Sequence, residues 1–189
     1  MNVLAVSGSL RAASYNRKAL QIAKKIAAEL GANVTEIDLR DLNLPIYDQD
    51  IQARGLPESV KTLKAAIVAA DILLMCSPEY NYSIPGGLKN AIDWASREGN
   101  SFKGKVAAIF GVSNGRMGTV RGQVHLRDVL TGLNIIVVPT PQIFIGPAPD
   151  VFNPDWTLKD PKTTEKLTQL IHNALTLAQK LTRPQGVSS

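Results

Sequence analysis

The segment Gly8-Ser9-Leu10-Arg11-Ala12-Ala13-Ser14-Tyr15-Asn16-Arg17 gathers two hydroxyls, an amide and two guanidinium groups between a short apolar stretch and a helical pattern. Those are the parts of a phosphate cradle. A terminal phosphate demands many donors and positive potential. Main-chain N–H groups and a helix N-terminus supply some, Ser9, Ser14 and Asn16 supply more, and Arg11 adds a charge-assisted contact. The same residue types also build polar turns and cap helices, so spacing alone fits both roles. Neither GxxxxGK[ST] nor GxGxxG occurs, which disfavours a nucleoside triphosphatase or a Rossmann dinucleotide site. No Cys and Arg bracket the segment, as a cysteine phosphatase would need, and no acidic residues end the preceding strand, as in a phospho-accepting receiver.

A second segment, Ser77-Pro78-Glu79-Tyr80-Asn81-Tyr82-Ser83-Ile84-Pro85-Gly86-Gly87, is unusual for a mere connector. Prolines stiffen its backbone, aromatic rings offer flat faces, and exposed N–H and C=O groups suit a planar heterocycle with alternating acceptors and donors. The third, Ser113-Asn114-Gly115-Arg116-Met117-Gly118, brings glycines that let main chain approach a ligand. Alone it reads as a flexible turn; its place beside the other two makes it a site candidate.

These loops need a scaffold, and the apolar pattern supplies one. Residues 3–6 form a strand, and Ala19, Ile22, Ala23, Ile26, Ala27 and Leu30 line one helix face that ends at a capping Gly31. Residues 33–39 alternate as a second strand. After a Pro-containing loop, Pro57 opens a helix to Ala70, followed by the buried strand 72–76. Residues 86–97 read as a helix, 106–112 as a strand, 119–133 as a weaker helix and 135–138 as a fifth strand stopped by Pro139. Asp160-Pro161 caps a last helix whose Leu167, Leu170, Ile171, Ala174, Leu175, Ala178 and Leu181 share one face. Regular alternation predicts an α/β fold: a doubly wound five-stranded parallel sheet, order 2-1-3-4-5, with helices on both faces. Residues 1–182 read as a single domain, and 183–189 are expected to fray. Ligands of such sheets bind beyond the carboxyl ends of the strands, where the three loops fall.

Composition narrows the class. With 189 residues, 44% apolar and 20% charged, the chain matches an ordinary folded domain. No apolar run reaches the ~20 residues of a membrane span, and the start lacks a cationic region and an apolar core, so the cytoplasm is the expected location. The net charge of +5 is scattered and aromatics are only 5%, which argues against nucleic acid. Cys76 ends an apolar run and reads as a buried structural thiol. His125 and His172 stand apart from other ligand types, so no metal site is expected.

With its first loop and the stretch Ser77-Pro-Glu-Tyr-Asn-Tyr-Ser-Ile-Pro-Gly-Gly-Leu-Lys-Asn-Ala-Ile-Asp-Trp94, the chain resembles the NADPH-dependent FMN reductase family, which includes bacterial quinone, chromate and azo-dye reductases. The similarity covers nearly the whole chain, since Leu44-Pro-Ile-Tyr-Asp-Gln-Asp50 also matches the family segment after strand 2. The resemblance implies a flavodoxin-like fold, bound FMN with NADPH or NADH as co-substrate, and a homodimer or homotetramer. It implies that Ser9, Arg11, Ser14 and Asn16 hold the FMN phosphate. Pro78, Glu79, Tyr80 and Asn81 would line the isoalloxazine ring, with Ser113 and Gly115 below it. Family members often carry paired glycines in the third loop, whereas Gly118 is followed here by Thr119. Asp93 and Trp94 match the motif and also suit helix packing.

The implied activity is transfer of hydride from a reduced nicotinamide through FMN to quinones or similar acceptors (chromate, azo dyes, free flavin) in a ping-pong cycle. Such chemistry needs no acid or base from the protein, and no catalytic side chain is nominated. Arg17 or Arg116 near the mouth would attract anionic substrates. Two other readings share the scaffold: a flavodoxin-type electron carrier, opposed by the positive charge, and a non-catalytic phosphate-binding module.

Overall fold

In the computed structural model, which describes residues 1–182, β1 (Asn2–Ser7) lies between β2 (Asn33–Ile37) and β3 (Ile72–Cys76), parallel to both. β4 (Val106–Val112) pairs with β3, and β5 (Ile136–Val137) pairs with β4, giving the expected order β2-β1-β3-β4-β5. Every residue of β3 and β4 is buried, as their unbroken apolar runs require of strands covered on both faces. The expected fraying of residues 183–189 lies outside the described residues.

Alternate residues of each strand feed two cores. Val3, Ala5, Ile72, Leu74 and Cys76 face α1 (Tyr15–Glu29) and α8 (Pro161–Thr182). Leu4, Val6, Leu73 and Met75 face α4 (Glu58–Ala69), α5 (Gly86–Ala95) and α6 (Val120–Gly132). A fully buried leucine in either layer contributes about 2 kcal/mol relative to an exposed one. Helix ends follow local sequence. α1 closes in a Schellman motif, with Gly31 N–H donating to the Ala28 carbonyl and Ala32 N–H to that of Ala27. α8 starts on Asp160, whose carboxylate accepts from Lys162 N–H and the Thr163 hydroxyl, with Pro161 in the first helical position.

The sheet also departs from the five-strand expectation. β5 is only two residues long, because Pro139 and Pro141 have no N–H with which to continue the ladder. The chain loops away and returns as a sixth strand, β6 (Phe144–Ile145), beside Gly111 and Val112 at the carboxyl end of β4. The segment after β2 is likewise not plain loop: it holds the single-turn helices α2 (Leu39–Leu42) and α3 (Gln49–Ala53), capped by Asp38 and Asp48. A further turn, α7 (Ala148–Val151), follows β6. Among the described residues no helix is long and apolar enough to cross a membrane.

Candidate functional site

The loops after β1, β3 and β4 converge on one cavity of about 640 Å³ at the carboxyl edge of the sheet. Ser9, Arg11, Ser14 and Asn16 line it from the first loop, Pro78, Glu79 and Tyr80 from the second, and Ser113 and Gly115 from the third. Asn81 does not line it.

Ser14 is the N-cap of α1, and its Oγ accepts the Asn16 N–H at 3.1 Å. Ser9 Oγ accepts from Arg11 N–H at 3.4 Å. In both residues the hydroxyl oxygen acts as an acceptor toward the chain, which leaves each O–H free to donate outward. Among the described residues the N–H groups of Ala13, Ser14, Tyr15 and Arg17 find no acceptor, so the helix start presents bare donors. Asn16 is committed inward. Its Nδ2 donates to the Val112 carbonyl at 2.8 Å, and its Oδ1 accepts from Val112 N–H at 2.9 Å and from the Cys76 thiol at 3.3 Å. One Nδ2 proton is left for the cavity. Burial pushes the Cys76 thiol well above its ordinary value, so it stays protonated as a donor, in keeping with the structural role read from sequence.

The second loop is a tight hairpin. Tyr80 and Ser83 exchange N–H···O bonds of 3.0 Å, and both residues between them, Asn81 (φ 48°) and Tyr82 (φ 65°), are left-handed, the signature of a type I′ turn. That accounts for Asn81, which shapes the tip. Glu79 reaches across to α6, where its carboxylate accepts from Gly122 N–H at 2.8 Å. This cap from outside replaces Thr119, which makes no side-chain cap and instead accepts from Gln123 through its own hydroxyl. His125 Nδ1 lies 3.0 Å from Ser83 Oγ and braces the same hairpin.

In the third loop the Ser113 hydroxyl donates to the Gly118 carbonyl at 2.6 Å and accepts from Gly115 N–H at 3.2 Å, closing the turn on itself. Glycine is required nearby for close approach: a Cβ on Gly111 would overlap the Ser77 carbonyl oxygen, and Gly118 (φ 58°) lies against the Phe144 main chain. Farther out, the motif residues Asn90 and Trp94 both donate to the Pro45 carbonyl, and Tyr47 N–H donates to Asn90. They anchor the segment after β2 rather than touching the cavity.

Tyr15, Tyr82, Met117 and Arg121 also line the cavity, joined by Arg116. Tyr15, Tyr82 and Met117 were within reach of sequence reading because they sit inside the candidate loops; Arg121 lies in the first turn of α6, outside them, and carries no local signal. The Arg121 guanidinium stacks 4.5 Å from the Tyr82 centroid. Arg17, an anticipated mouth residue, is instead paired with Asp38 at 2.5 Å, which neutralises it. The lining thus holds three guanidinium groups, Arg11, Arg116 and Arg121, against one carboxylate, Glu79. None of the three forms an ion pair among the described residues. A first loop of hydroxyl and N–H donors with Arg11, meeting tyrosine rings, two further guanidinium groups and glycine-rich main chain from the rest of the cavity lining, fits a phosphorylated flavin.

A parallel sheet in this order with an anion-ready first loop defines the flavodoxin-like class. The family model of NADPH-dependent FMN reductases matches residues 1–150, and the chain belongs to that family. An NAD(P)H-dependent FMN reductase of Pseudomonas aeruginosa is 44% identical over 171 residues, covering 89% of this chain and 90% of the relative. A quinone reductase of Escherichia coli (strain K12) is 40% identical over 149 residues, covering 77% and 78%. Among solved structures, the flavoenzyme NAD(P)H:(acceptor) oxidoreductase FerB of Paracoccus denitrificans superposes with a TM-score of 0.84 at 34% identity, over 95% of this chain and 97% of that one.

Proposed function

We propose that residues 1–182 form one FMN-binding domain that takes electrons from NADPH or NADH and delivers them to quinones. The observation that carries this reading is the cavity in which the donor-rich loop after β1 meets the tyrosine-bearing and glycine-rich loops after β3 and β4, in a chain of this family. When bound, FMN supplies the two-electron relay between nicotinamide and acceptor, so the protein needs no acid–base pair of its own.

The chain's part is to hold and orient. The Ser9 and Ser14 hydroxyls, the bare N–H groups of the α1 start and the Arg11 guanidinium grip the phosphate. Asn16 contributes one N–H while fixing the cradle to the end of β4. Pro78, Glu79 and Tyr80 from the second loop and Ser113 and Gly115 from the third would line the ring. Asn81 serves by setting the hairpin. Arg116 and Arg121 leave the mouth positive, which draws in anionic nicotinamide nucleotides. Quinones as acceptors are supported by the quinone reductase of E. coli noted above. The reading includes a homodimer or homotetramer in the cytoplasm, with no nucleic-acid partner. A carrier serving protein partners through an acidic face fits a net charge of +5 poorly.

Anaerobic addition of NADPH or NADH to the flavin-loaded protein should bleach the flavin absorbance, and a quinone should restore it with no second protein present. Failure of both nucleotides to bleach it would remove the oxidoreductase reading in favour of a carrier.

A further inference from the structure

A loop outside the sheet reaches the cradle through aromatic rings. Tyr15, the first residue of α1 and part of the cavity wall, stacks on Phe152 with centroids 5.7 Å apart and planes 10° from parallel. Trp156 leans on both, 6.2 Å from Tyr15 and 5.9 Å from Phe152. Two cations lie on this shelf: the Arg11 guanidinium carbon is 5.8 Å from the Tyr15 centroid, and Lys18 Nζ is 4.8 Å from that of Trp156. The shelf is stiffened locally. Phe152 and Leu158 form an antiparallel bridge, Asn153 N–H donates to the Thr157 carbonyl at 2.8 Å, and the Thr157 hydroxyl donates to Asp155 at 2.7 Å.

Among the described residues neither Arg11 nor Lys18 meets a carboxylate, in contrast to Arg17 on Asp38. The distinction matters for an anion site. A carboxylate partner orients a guanidinium but cancels its charge. An aromatic face orients it through the ring quadrupole and leaves the full charge available. We propose that Tyr15, backed by Phe152 and Trp156, is a positioning residue that holds the fully charged Arg11 guanidinium toward the FMN phosphate. The inference rests on the assignment of that phosphate to the loop after β1.

The test compares FMN and riboflavin affinities on the full chain stripped of flavin, in wild type, Y15F, Y15L, W156L, R11A and the R11A/Y15L double variant. Y15L should weaken FMN about two- to fivefold and leave riboflavin unchanged, the range set by an exposed cation–π contact. Y15F should behave as wild type, since the Tyr15 hydroxyl has no partner among the described residues. W156L, outside the cavity lining, should shift FMN in the same direction. Once Arg11 is gone, Y15L should cost nothing further, as residues acting through one contact require. Equal weakening of both flavins by Y15L, or an undiminished Y15L effect in the R11A background, would overturn the proposal. If R11A itself fails to discriminate FMN from riboflavin, the phosphate assignment falls, and the shelf's role falls with it.

Discussion

Asn16 does two jobs with one amide, and their separation explains why residue type was readable but residue role was not. Its type marked it as a donor in a polar loop. Its main partners, the N–H and C=O of Val112, lie 96 positions away and belong to the end of β4. Only the fold puts them together. Ser9, Ser14 and Arg11 were easier, because their relevant neighbours are in the loop itself. The two-sided bond makes a firm prediction: Asn16→Ala leaves a buried N–H and a buried carbonyl unpartnered, which should lower unfolding free energy by about 2–4 kcal/mol. Urea denaturation of the variant measures it. A loss within the error of the extrapolation would mean that the bridge is not a structural tie.

Elements were legible where their signals are local. The Gly31 stop, the Asp160-Pro161 start and the long apolar runs of β3 and β4 each depend on a few adjacent residues. β6 was not, since two residues carry no period and its pairing depends on β4 already being in place. The cap on α6 was hidden for a related reason: it comes from Glu79, 43 positions earlier. At α8 the cap is testable through pH. Hydrogen bonds from Thr163 and the Lys162 N–H hold the Asp160 carboxyl below its ordinary 3.8. Its folded value is the lower one, so the stability it lends is complete above 3.8 and drains away as pH falls through the folded value. Asp160→Ala should therefore melt at a lower temperature than wild type at neutral pH, and the gap should close in strong acid. A gap that persists unchanged in acid would assign the effect to something other than the ionised cap.

For the molecule as a whole, the sheet order followed from the alternation of strands and helices, and the order in turn fixed where three separate loops must meet. The balance of charge inside the cavity did not follow from composition. A net +5 is spread over the surface, and only the fold shows that Arg17 is neutralised while Arg11, Arg116 and Arg121 share one opening. Family membership and this geometry lead to the same expectation, that the loop after β1 grips the anionic end of FMN. A crystal structure of the full chain grown with FMN tests it most directly. The phosphate should lie within hydrogen-bond distance of the Ser9 and Ser14 hydroxyls and the Arg11 guanidinium. FMN bound with its phosphate elsewhere, and those three donors turned to solvent, would contradict the account.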